Sequence, residues 1–188
     1  MRFAIILITL ACIIGIDSTL KLSQAVQLRD GKVYFVQVPR LVKATTTFDD
    51  VNIWGATYYF TVQVPSDAGE PLQKITINQH SGLDNINFDL KDSFAISGTT
   101  KSEKEKLPLQ ITEKRREKTV SLTFNPPVEP GKTINIALKP IRNPSVEGVY
   151  LFGVTAFPAG EKSHGQFLGY GRLHFYRNNS SLFSPFGW

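Results

Sequence analysis

Thiols are almost missing from this sequence, which has one cysteine and one methionine in 188 residues. A disulfide needs two thiols and an all-cysteine zinc site needs several, so neither forms within one chain. Long apolar runs are missing too. The longest, residues 3–16, falls short of the roughly 20 residues that cross a bilayer core as a helix, which excludes a multi-span membrane protein. Charge of one sign is modest, with 21 Lys and Arg against 16 Asp and Glu and a net charge of +5. That balance, with 41% hydrophobic and 20% charged residues, excludes a disordered tail protein. The nucleophile elbow G-x-S-x-G, the zincin helix H-E-x-x-H, a Walker loop and a spaced dinucleotide fingerprint are absent. Gly165 to Gly171 reads G-x-x-x-G-x-G, which has the wrong spacing and opens a strand. The length suits one domain, or a domain with a short appendage.

What is present begins with an export signal. Met1 and Arg2 precede the apolar run FAIILITLACIIGI at 3–16, and a polar stretch follows at 17–24. A positive start, an apolar centre and small residues before a cut are the three parts of a secretory leader. Ser23-Gln24-Ala25 supplies the small residues, which predicts cleavage after Ala25. A lipobox reading of Leu10-Ala11-Cys12 conflicts with the apolar run continuing for four residues past Cys12. Cleavage would remove Arg2, Lys21, Asp17 and the single cysteine and leave a net charge of +4. A thiol-free mature chain suits an oxidising compartment without using it. The expected address is extracytoplasmic: periplasm or cell envelope, or release from the cell, with no transmembrane segment left after cleavage.

Beyond the leader, apolar residues recur with period 2. Phe60, Val62 and Val64 alternate with Tyr59, Thr61 and Gln63; Val120, Leu122 and Phe124 alternate with Ser121 and Thr123; Ile134, Ile136 and Leu138 alternate with Thr133, Asn135 and Ala137. Such alternation marks half-buried strands. Residues 33–38, 72–78, 86–90, 150–157 and 168–176 complete eight or nine expected strands, with 150–157 central and buried on both faces. No stretch shows a helical period over 11 or more residues. Prolines 39, 65, 126, 127, 130, 140, 144 and 158 fall at the ends of these runs, where a residue without an amide proton belongs. The predicted fold is an all-β, two-sheet antiparallel sandwich, immunoglobulin-like with Greek-key connections, over 26–177. A signal helix would precede it, and a tail would follow at 178–188.

Residues 101–118 carry seven basic and four acidic side chains. The rest of the mature chain is nearly neutral, which excludes a nucleic-acid track. One reading is a solvated hairpin whose mixed charges blunt an edge strand. The other is a patch for an anionic envelope polymer or lipid headgroups, centred on Lys114, Arg115 and Arg116.

Trp54, Tyr58 and Tyr59 form an aromatic cluster that could stack on sugars or grip a peptide; strand alternation must also send some of these rings into the core. His80, beside Ser81 and Gly82, is expected in an exposed turn. His174 is expected on the outward face of its strand with Arg172 and Tyr176. Glu161 and His164 share a glycine-flanked loop and could contribute to a divalent copper or zinc site if a third ligand arrived, although Lys162 lies between them. Phe183, Phe186 and Trp188 follow the polar run 178–181 and suit a docking peptide or a disordered end.

Several segments together resemble a known family: Val33-Tyr34-Phe35, ATTTFDDVNIWGATYYF at 44–60, AGEPL at 68–72, Asn143-Pro144, GVYLFGVTAFPAGE at 148–161 and GQFLGYGRLHFY at 165–176. The likeness, over roughly 26–177, is to a cyanobacterial family of exported proteins known only as a domain of unknown function. It implies a signal-bearing envelope protein and no activity, cofactor or site residue. The expected function is therefore a non-catalytic binding or structural module of the bacterial cell envelope, without cofactor, whose partner is an envelope polymer or envelope protein and not nucleic acid. The rivals are a periplasmic metal-binding protein, a hydrolase assembled from separate loops, and an anionic polymer or lipid surface binder.

Overall fold

Period-2 alternation buries one side of each strand, and strands of that kind are stable only when that side packs against another layer, here a second sheet. The computed structural model describes residues 31–98 and 105–177 in full and the backbone of 26–27. The expected leader at 1–25 and tail at 178–188 lie outside the described residues.

A short ribbon pairs β1 (Val26–Gln27) with β2 (Val33–Tyr34). Sheet I contains β3 (Arg40–Thr46), β4 (Tyr58–Gln63), β6 (Phe88–Ser97), β7 (Glu105–Lys106) and β10 (Thr133–Pro140). Sheet II contains β5 (Leu72–Ser81), β8 (Leu109–Lys114), β9 (Thr119–Val128), β11 (Gly148–Pro158) and β12 (Gln166–Phe175). The spatial orders are β3-β4-β10-β6-β7 and β12-β11-β5-β9-β8, and every pairing of named strands is antiparallel. No α-helix occurs among the described residues, and none of their helices is long and apolar enough to cross a membrane.

These orders are the immunoglobulin arrangement. Strands β3, β4, β10 and β6 occupy the places of A, B, E and D, while β5, β11 and β12 occupy those of C, F and G. The hairpin β8–β9 is an insertion between D and E that extends sheet II beyond C. The expected all-β sandwich is therefore the fold observed. Tyr150, near the start of β11, donates its hydroxyl to the Val146 carbonyl at 2.9 Å, which is the tyrosine corner of this fold. Antibody domains carry a cysteine two residues later, joined to strand B. Here Phe152 stands there and meets Phe60 of β4 edge-on, with centroids 5.7 Å apart, so an aromatic contact links the two sheets without a thiol. Tyr58, Tyr150, Phe124 and Phe175 join these rings in the core with Leu72, Ile75, Leu122, Ile134 and Ile136.

Four local expectations are corrected. Of residues 33–38 only Val33 and Tyr34 are strand, because the next segment leaves the ribbon: the Val36 amide donates to the Ala68 carbonyl at 2.8 Å. The prolines do not all mark strand ends, since β9 runs through Pro126 and Pro127, with a cis Asn125–Pro126 bond, while its pairing to β5 skips from Thr123 to Val128. His80 lies inside β5 and not in a turn. Strand β11 is central, but the outward Leu151, Thr155 and Phe157 are only half-buried, because among the described residues no further layer covers that side of sheet II.

Candidate functional site

The outward face of sheet II collects most of the features that could hold a ligand. Paired residues of an antiparallel ladder point to the same side, so the register writes this face as rows across the strands. One row runs Gln110, Thr123, Lys74, Phe157; the next Thr112, Ser121, Thr76, Thr155, Phe167; the third Lys114, Thr119, Asn78, Gly153, Tyr170. Leu151 opposite Arg172, and Val149 opposite His174, complete it at one end. No Asp or Glu occupies an outward position, whereas Lys74, Lys114 and Arg172 do. The second row also presents four hydroxyls on adjacent strands.

A bulge gives this face its rings. Between Val154 and Thr155 the register of β11 on β12 shifts by one residue, at Leu168–Gly169, and Gly169 takes φ +121°. Strict alternation would have placed Phe167 on the side of the inward Leu173. The extra residue turns it outward beside Tyr170, which is how bulges re-aim side chains. The two rings lie 5.0 Å apart and stay 54% and 48% exposed. Gly153 forms the floor below them, where an added Cβ would come within 3.3 Å of Phe167 and 3.4 Å of Tyr170. His80 extends the series at 4.9 Å from Tyr170, and the Lys74 ammonium sits 4.0 Å above the Phe157 ring.

The cluster expected at Trp54, Tyr58 and Tyr59 is split by the fold. Tyr58 is fully buried; its hydroxyl donates to Asn143 Oδ1 at 2.9 Å, and burial first, then neighbouring Tyr150, hold it far above the usual phenol range. Tyr59 is half-buried on the outward side of sheet I, and Trp54 is 67% exposed in the β3–β4 loop.

The basic trio lies at the turn of the β8–β9 hairpin. Lys114 ends β8, while Arg115 and Arg116 open the 3-10 turn. Lys114 pairs with Glu117 at 3.3 Å and Arg115 with Glu113 at 3.1 Å, so much of that charge is answered locally. β8 is an edge strand, as the mixed-charge hairpin reading requires. Glu161 and His164 sit in the β11–β12 loop, where His164 packs on Tyr34 at 4.7 Å and its amide donates to Val33 at 2.9 Å. Among the described residues no group of three His, Cys, Asp or Glu side chains comes together to hold a metal. His174 points outward with Arg172 and Tyr176, as alternation predicts.

At the end of the sandwich three loops are tied together. Asn143 donates to the carbonyls of Phe48 (3.0 Å) and Asp50 (2.8 Å). Asp84 Oδ2 accepts from the Ser145 hydroxyl (2.7 Å), the Ser145 amide (2.5 Å) and the Val146 amide (3.3 Å). The two Ser145 bonds, helped by the Val146 amide and nearby Arg142, hold this carboxyl below its usual range against the opposing effect of burial. Between these loops lies a cavity of about 330 Å³ bordered by Trp54, Asn85, Asn87 and Arg142, with the Asp84 carboxylate and Ser145 also in its wall. Tertiary placement of Arg142, which the sequence pattern did not signal, puts its guanidinium 5.8 Å from the Trp54 ring.

Comparisons with known proteins bear on the family. No curated protein matches the chain. Among solved structures, one of manganese lipoxygenase of Gaeumannomyces graminis with part of zonadhesin of Komagataella pastoris is similar over 69% of this chain and 48% of that one, at 10% identity and TM-score 0.42. This chain thus spans about half the length of that match. A collagen-binding domain from a Staphylococcus aureus adhesin is similar over 72% of this chain and 98% of that one, at 11% identity and TM-score 0.38. An uncharacterized Nocardia farcinica protein with an immunoglobulin-like fold is similar over 71% and 97%, at 14% and 0.38. A family model described as "Protein of unknown function (DUF2808)" matches residues 32–175, and since that is most of the chain, the protein belongs to this family.

Proposed function

We propose that this protein is an exported, non-catalytic binding module of the bacterial cell envelope, and that the outward face of sheet II holds an acidic polysaccharide. The observation that carries the reading is the joint character of that face: exposed Phe167 and Tyr170 over a glycine floor, hydroxyl rows, and the cations Lys74 and Arg172, with no Asp or Glu at an outward position of the strands. Aromatic planes stack on the C–H faces of sugar rings, hydroxyls exchange hydrogen bonds with theirs, and cations answer acid groups. An apolar patch left in water on a flat sheet is the kind of surface that marks an interaction site. Adjacent strands about 4.8 Å apart repeat these groups at a spacing comparable with a sugar unit, which suits a polymer lying across the strands. The leader-like N-terminus supports the envelope address.

Affinity electrophoresis of the purified mature chain through gels containing polygalacturonate, with amylose as the neutral control, tests the binding. The expected result is retardation by the acidic polymer alone, weakening as salt rises and corresponding to an affinity about tenfold or more lower in the Phe167→Ala/Tyr170→Ala double variant. Equal retardation by amylose, or none by polygalacturonate, would refute it. Export is tested by expressing the full chain in a bacterium and sequencing the periplasmic product, which should start at Val26; an uncut cytoplasmic chain would contradict the address.

A further inference from the structure

A second site lies at the loop end, and we infer that the cavity between Trp54 and Arg142 binds one acidic sugar unit, a pyranose carrying a carboxylate. This rests on the proposed function only for the ligand class; its residues are different and would stand if the sheet II face failed.

The cavity is assembled from three connections. Trp54 comes from the loop between β3 and β4, Asn85 and Asn87 from the loop between β5 and β6, and Arg142 from the loop between β10 and β11. Loops usually move, but these are fastened. The Asn143 amide donates to the Ile53 carbonyl at 2.8 Å, the Asn52 amide to Pro144 at 2.9 Å and the Ile141 amide to Asn87 at 2.9 Å. The Asp84 carboxylate and the Asn143 side chain add the bonds given above. The buried Gln79 side chain secures the middle loop, donating to Asp84 O at 2.5 Å and accepting from Ile86 N at 2.9 Å. A ligand therefore meets a preformed cavity and orders little chain on binding.

The groups left over define the ligand. Asp84 Oδ2 is satisfied by three donors and Asn143 is fully used, so these two are structural. Asn85 and Asn87 are exposed, and no side-chain hydrogen bond engages them among the described residues. The indole of Trp54 presents a flat apolar face. Arg142, exposed and held against that ring, presents a planar fork of donors suited to a carboxylate. A ring with an apolar face, hydroxyls at its edge and an acid group matches all three at once. The Arg142 side chain lies near the Asp84 carboxylate but makes no ion pair or hydrogen bond among the described residues, so a neutral sugar leaves its donors unused, and a peptide carboxylate lacks the hydroxyl edge that two amides would read.

The chain has two tryptophans, so a Trp188→Phe variant makes Trp54 the sole indole reporter. Titration with digalacturonate should give a saturable change in its emission, and maltose, a neutral disaccharide, should give none. Arg142→Gln should weaken the digalacturonate response about tenfold or more. The response should persist in the Phe167→Ala/Tyr170→Ala background, because a disaccharide reports on the cavity alone, whereas polymer retardation reports on the sheet face. An equal response to maltose, an equal response to an acidic dipeptide, no saturable response, or an unchanged affinity in Arg142→Gln would overturn the inference.

Discussion

The two outward faces of the sandwich carry similar charge and differ in what surrounds it. On sheet I, Arg40, Lys43, Lys106 and Lys139 point outward, but Asp89 stands directly opposite Lys139. The centre of that face is Tyr59, Thr61, Asn135, Ala137, Phe94 and Ile96, where Thr61 donates its hydroxyl to Asn135 Oδ1 at 2.6 Å, and the Tyr59 and Phe94 rings are half-covered. On sheet II no Asp or Glu stands at an outward strand position, the one paired cation being Lys114 with Glu117 of the hairpin turn, and a single bulge brings two half-exposed rings together. Positive charge alone therefore does not mark the binding face. What marks it is apolar ring area kept in water next to that charge, a cost in folding that a ligand can offset.

The strongest way to break this comparison is to remove what both faces share. Phe152→Ala deletes the ring that links β11 to Phe60 of β4, and should cost about 3–5 kcal/mol in urea unfolding; binding at the sheet II face would fall only in proportion to the unfolded fraction. A sharper test separates the faces. Phe167→Ala/Tyr170→Ala should lower polygalacturonate affinity about tenfold or more with little loss of stability, while Tyr59→Ala on sheet I leaves affinity unchanged. Next in size is Tyr150→Phe, which removes the bond to Val146 and should lower stability by about 1 kcal/mol without touching the outward rings.

The smallest expected effect concerns acid. The sheet II face has no carboxylate to titrate, whereas the loop end depends on Asp84. Because hydrogen bonds lower the folded-state pKa of Asp84 below its ordinary value of 3.8, its stabilisation is complete above that value and is lost as pH falls through the lowered one. The gap in melting temperature between the wild type and Asp84→Asn should be constant near neutrality and narrow only below the ordinary carboxylate range.

The fold was legible wherever inward positions were uniformly apolar, as in β4, β10 and β11. It was less so where charge or irregularity hid the period. In β3 a register shift near Val42 leaves that valine 60% exposed, and no clean alternation survives. In β8, Leu109 and Ile111 do alternate, but the surrounding lysines and glutamates dominate the composition. The candidate surface was harder still. Phe167 reads as inward by period 2, and only the bulge at Gly169 reverses it. Trp54 could be singled out as an aromatic, yet nothing local to residue 142 announces that an arginine from a distant loop will lie against it. Strand order, which puts Lys74 of β5 beside Phe157 of β11, is a property of the whole topology.

The decisive experiment is chemical-shift mapping of the isotope-labelled mature chain with oligogalacturonate. Apart from signals at the loop end around Trp54 and Arg142, the largest perturbations should fall on the outward rows of β5, β11 and β12, around Thr76, Thr155, Phe167 and Tyr170. Perturbations centred on Tyr59, Thr61 and Asn135 of sheet I would contradict a sheet II site.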